Sequence, residues 1–167
     1  ELGLEDGKRL IHNNSGTYFW APNKKTVVDC EQFMAKAEEV KACSDRETAA
    51  TKALEAIQLY TADFLPESIG EGWCMGLAPS YREVYMNLCR STAEYLMGVG
   101  QYKQAAEVCA RVTQLEPMAE DFGVLYMHTL TQAGQPQKAL DFYEAFARQL
   151  EETYGIAPTA QLEAERV

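Results

Sequence analysis

The sequence predicts a mainly α-helical fold of stacked antiparallel helix hairpins, preceded by a short N-terminal β-hairpin. Three observations predict it. Apolar residues recur at about every second position up to Val28 and at about every 3.6 positions from Asp29 onward. Between Pro79 and Tyr154, four apolar stripes of helical spacing follow one another across short turns marked by Gly or Pro. Within that stretch Leu96, Gly100-Gln101 and Ala105 recur as Leu130, Gly134-Gln135 and Ala139, each 34 residues on.

At the front, Leu10-Ile11-His12 and Thr17-Tyr18-Phe19-Trp20 are short β-branched and aromatic runs. Asn13-Asn14-Ser15-Gly16 between them supplies the polar, positive-φ chemistry of a hairpin turn. Pro22-Asn23 breaks the second strand, and Thr26-Val27-Val28 is a candidate third. Strands this few and short need a surface to pack on.

Asp29, with Gln32 three residues later, reads as the N-cap of a first helix whose stripe is Phe33, Ala37 and Val40. Ser44-Asp45 caps a second, with Ala50, Ala53, Leu54, Ile57 and Tyr60 on one face. From Thr61 to Pro79 the helical pattern lapses into a long connection, with Phe64, Leu65 and Trp73 as the expected ties to the core. Pro79 opens the third helix, Glu116-Pro117 ends the fourth and Gly134 closes the fifth. The sixth reaches Tyr154, and Pro158-Thr159-Ala160-Gln161-Leu162 begins a last one.

A 34-residue period is that of tetratricopeptide repeats, so the predicted architecture is tetratricopeptide-like. Gly at the turn admits a positive φ, and Ala105 or Ala139 on the following helix lets the two axes approach closely. Stripe residues are then core, and function falls to the faces they leave free. Stacked pairs form a concave surface lined by the first helix of each repeat. That register makes Asn87, Arg90, Ser91 and Glu94 in one repeat, and Asp121, Val124, Leu125 and His128 in the next, the candidate partner-binding positions.

Composition narrows the function classes. The chain is 47% hydrophobic and 24% charged, with a net charge of −10, so most of its surface is unsuited to a phosphate backbone. Lys8, Arg9, Lys24 and Lys25 form the one basic cluster near the front. Five cysteines without a CxxC pair and two distant histidines point to free thiols and no metal site. Cys89 and Cys109 fall on apolar stripes as small core residues of a reducing compartment. No membrane-length apolar run occurs, so a cytoplasmic location is expected. Phosphate-binding, nucleophile-elbow and zinc-protease motifs are all missing from the sequence, and no enzymatic activity and no cofactor are expected.

The series Val28-Asp29-Cys30-Glu31-Gln32-Phe33, Ala53-Leu54, Leu59 through Glu67, Trp73 and Arg82 resembles the bacterial transcriptional activator domain of antibiotic-regulatory-protein-type regulators. The likeness continues through Gly100, Ala105, Gly134, Ala139-Leu140, Tyr143 and Tyr154-Gly155-Ile156-Ala157-Pro158. Its most distinctive part is Tyr60-Thr61-Ala62-Asp63-Phe64-Leu65-Pro66-Glu67. The resemblance implies a tetratricopeptide-like regulatory domain over residues 29–167, following a response-regulator-type winged-helix domain. Residues 1–28 look like the closing β-hairpin, or wing, of that domain, so the chain is expected to begin inside it. Lys8, Arg9, His12 and Asn13 would then contact DNA in the full protein. Implied partners are a second copy, RNA polymerase or a signal-responsive domain. Read from its repeat alone, the chain could equally be a free-standing adaptor for a partner peptide.

Overall fold

A computed structural model describes residues 11–20, 27–68, 70–72 and 75–166. Strands β1 (Ile11–Asn14) and β2 (Thr17–Trp20) pair antiparallel, with Asn14 opposite Thr17. Ser15 (φ 53°) and Gly16 (φ 87°) turn the chain between them, the two consecutive positive φ values of a tight hairpin. Lys8, Arg9, Lys24, Lys25, Thr26, Trp73 and Cys74 lie outside the described residues.

Among the described residues seven α-helices follow: α1 (Asp29–Lys41), α2 (Arg46–Leu59), α3 (Leu77–Gly98), α4 (Tyr102–Leu115), α5 (Glu120–Gln132), α6 (Pro136–Tyr154) and α7 (Ala160–Ala164). Each of α1 to α5 packs on the next, and α7 packs on α5. Two starts differ from the sequence reading. Val28, extended at φ −106°, is the N-cap of α1 and its carbonyl takes the Gln32 N–H at 3.0 Å. Asp29 is therefore already helical, and its carboxylate accepts the adjacent Cys30 N–H at 2.8 Å instead of capping. Helix α3 begins at Leu77, two residues before Pro79, because proline in a first turn forfeits no helical bond. The cap of α2 is as the sequence describes it, with Asp45 accepting the Thr48 N–H at 2.7 Å.

The turns after α3 and α5 close in the same way. Gly100 (φ 76°) and Gly134 (φ 75°) sit just past the helix ends, and the following Gln101 and Gln135 N–H groups return to the Leu96 and Leu130 carbonyls. The 34-residue sequence repeat is thus a repeat of hydrogen bonding. Immediately afterwards Ala105 and Ala139 are buried, at 0% and 4% exposure, where α4 meets α3 and α6 meets α5.

One core cluster spans α1 to α5 and includes Phe33, Ile57, Tyr85, Val112 and Phe122. A second joins α5, α6 and α7 around Met127, Phe146, Leu150 and Leu162. Burying such side chains stabilises by roughly 1.5–3 kcal/mol each. Gly123 on α5 leaves room for α7: a Cβ there would stand 3.3 Å from Leu162 Cδ1. Leu162 is fully buried although its helix has only five residues.

The long connection after α2 is tied at several points. Tyr60 stacks on Tyr85 at 4.3 Å and Phe64 on Tyr81 at 4.9 Å. Leu65 does not act as a tie: it is 45% exposed and has a positive φ of 44°. Pro66, which follows it, opens a short 3-10 turn, Pro66–Ser68. From α4, Arg111 donates to the Ile57 and Tyr60 carbonyls at 3.2 and 3.3 Å, serving acceptors that the end of α2 leaves open.

Candidate interaction surface

Positions chosen on the repeat register lie on two helices, Asn87, Arg90, Ser91 and Glu94 on α3 and Asp121, Val124, Leu125 and His128 on α5. The contacts that join these helices pass through several of them. Arg90 pairs with the Asp121 carboxylate, and its guanidinium lies 4.7 Å from the centre of the Phe122 ring. His128 Nδ1 lies 3.5 Å from Glu165 Oε2, which links α5 to the end of the chain past α7. Val124 and Leu125 are half-buried against the two core clusters. Ser91 is exposed, and its hydroxyl donates to the Asn87 carbonyl at 3.0 Å. Asn87 and Glu94 are exposed as well, with no ion pair or side-chain hydrogen bond among the described residues. Chemically the surface offers amide, hydroxyl and carboxylate groups beside a cation already committed to a neighbour.

Next to this face, Ser91, Thr92, Glu94, Tyr95, Gly98 and Val99 of α3 also border a cleft shared with Val40 and the first two turns of α2. Sequence periodicity does not reveal it. It is a product of small side chains on α2, and their emptiness is legible only once the helices are paired.

A second polar cluster lies in the segment most distinctive of the sequence. The Tyr60 hydroxyl donates to Asp63 Oδ1 at 2.9 Å, and Arg82 grips the Asp63 carboxylate while donating to Glu116 Oε2 at 2.7 Å. The Arg82 guanidinium holds the Asp63 carboxyl below its usual range, and burial pushes the Tyr60 phenol above its own. These groups are mutually satisfied, so their arrangement is that of a fastening between the long connection, α3 and the end of α4.

Of the candidate DNA contacts, His12 and Asn13 stand on β1, opposite Phe19 and Tyr18. Lys8 and Arg9 fall outside the described residues. No group of three or more His, Cys, Asp or Glu among the described residues is arranged to hold a metal ion. None of the described helices is long and apolar enough to cross a membrane.

Comparison with known families gives one model that matches, over residues 28–166, and its description is bacterial transcriptional activator domain. A search of curated proteins found no match to the sequence.

Proposed function

Since this chain belongs to the bacterial transcriptional activator domain family, we propose that it is the non-catalytic interaction module of a DNA-binding transcriptional regulator. Family membership makes it a regulatory domain of the transcriptional activator type. The finer reading is that residues 29–167 mediate self-association, signal response or contact with RNA polymerase through the α3 and α5 face. The observation that carries it is the Arg90–Asp121 contact, which sets the candidate positions of α3 and α5 side by side. Exposed Asn87, Ser91 and Glu94 near this contact offer polar groups on the kind of face that stacked helix pairs present to protein partners.

In this reading the front hairpin is the wing of a winged-helix domain, and Lys8, Arg9, His12 and Asn13 touch DNA in the complete regulator. The tight Ser15-Gly16 turn supports it, since a wing needs a narrow hairpin to approach a groove or a phosphate. The module would work in the cytoplasm, alongside the genome it regulates.

Asn87→Arg in the complete regulator tests the face, because Asn87 is exposed and outside the Arg90 contact. The expected outcome is unchanged melting, weakened self-association or polymerase capture in sedimentation and pull-down assays, and reduced output from a promoter reporter. Full reporter output would overturn the assignment. Binding of a peptide by the chain, with no DNA binding by the complete protein, would favour the free-standing adaptor instead.

A further inference from the structure

The cleft between α2 and α3 has a volume of about 510 Å³. Its α2 side is built from Ala49, Ala50 and Ala53, the last of which follows the other two by four and three residues and so lies beside both on the helix surface. Larger side chains at these positions would fill part of this space, and a leucine in place of Ala49 would project into it.

Three polar groups border this apolar floor without partners. Arg46 and Glu94 form no ion pair among the described residues, although Lys36–Glu55, Lys52–Glu39 and Lys41–Glu38 close by do. Thr92, only 2% exposed, is part of the cleft wall, and its hydroxyl is buried without a hydrogen-bond partner. A helical threonine ordinarily returns its hydroxyl to the carbonyl four residues back. Here the neighbouring Ser91 hydroxyl lies 3.2 Å from that carbonyl, on Leu88. That hydroxyl of Thr92 is shielded inside the wall, so the polar groups that can reach an occupant are the exposed Arg46 and Glu94.

The dimensions decide the class of occupant. A stable protein interface buries roughly 800 Å² on each partner, whereas clefts of roughly 300–1,000 Å³ with an apolar lining and a few polar groups take small molecules. We infer that this cleft binds a small, largely apolar molecule carrying an anionic group. The apolar body lies on the alanine floor and the anion on Arg46. Glu94 accepts from a donor on the molecule. This inference does not rest on the partner face proposed above, and its test uses Arg46 and Ala49, which are outside that face.

The probe is 1-anilinonaphthalene-8-sulfonate, which combines a naphthalene body, a sulfonate and an N–H donor, titrated by fluorescence into the folded 167-residue chain. Saturable binding at one site is expected. Ala49→Leu, by obstructing the floor, and Arg46→Gln, by removing the cation, should each weaken it by about tenfold. Lys103→Gln beside the separate Gly100 concavity should leave it unchanged. Arg46 is exposed, so its variant remains informative if Ala49→Leu perturbs the helix pair. The neutral N-phenyl-1-naphthylamine should bind about tenfold more weakly than the sulfonate, as removal of one ion pair predicts. Unsaturable dye uptake, or parental affinity in both Ala49→Leu and Arg46→Gln, would overturn the site. Equal affinity for the two dyes would overturn the anion preference.

Discussion

Arg82 on α3 joins Asp63, in the connection before it, to Glu116 at the end of α4, and so fastens three separate parts of the chain with one guanidinium. Hydrogen bonds to charged groups contribute about 1.5–3 kcal/mol when sheltered and less when solvated. Arg82→Ala should therefore lower stability by about 1–2 kcal/mol in urea unfolding. A variant with the parental midpoint and slope would contradict the fastening role.

Asp63 also makes the fold sensitive to acid. Its carboxyl titrates below the usual range when folded, mainly because Arg82 donates to it, so the unfolded chain takes up the proton first. The resulting stabilisation is fully present above the ordinary carboxylate pKa and fades as pH falls through the lower folded value. Asp63→Asn should flatten that part of the stability-versus-pH curve, with the remaining slope owed to other carboxylates. Denaturation midpoints between about pH 3 and pH 6 would reveal it.

Burial pushes the Cys89 and Cys109 thiols up to about 12, and both side chains are fully buried. The thiolate is the reactive form, so neither should alkylate in the native protein at pH 8. Cys30 and Cys43 are only half-buried. Peptide mapping after brief iodoacetamide treatment should find label at Cys30 and Cys43 first, and at Cys89 and Cys109 only after denaturation.

Gly134 tests the turn geometry separately from packing. A Cβ at this position would meet nothing within 4 Å, but the backbone holds φ at 75°. Gly134→Ala should destabilise by about 1–2 kcal/mol through backbone strain alone. Calorimetry would show a lower Tm with no change in fold by circular dichroism.

Gly123 tests the seat of α7. Gly123→Leu would fill the space that Leu162 uses, so amides over Ala160–Ala164 should exchange faster while α3 and α4 keep their protection. Unchanged exchange in α7 would show that Leu162 does not depend on this opening.

Local rules explain why much of the fold can be read from the residues. Asp45 caps α2 as its chemistry suggests, and Gly100 and Gly134 turn the chain where a positive φ is needed. Asp29 misled because an acidic residue suits both the cap and the first turn, and only the Val28 carbonyl distinguishes the two. Contacts between distant residues were hidden. Arg82 meets partners 19 and 34 positions away, and periodicity carries no information about such pairs. The register placed the candidate residues on α3 and α5, but it did not reveal that Arg90 is already engaged by Asp121. Nor could it reveal the α2–α3 cleft, which exists because three alanines leave space that larger residues would fill.

Arg111 reaches back across the long connection to hold the last carbonyls of α2. The first helical hairpin is thereby attached to the later ones without help from the covalent link between them. Gly70 and Gly72, exposed in that link, are accordingly a place where the chain can be cut or lengthened and still assemble. A fluorescent protein spliced in at this point would report on the regulator from inside its own sequence, with both termini left free.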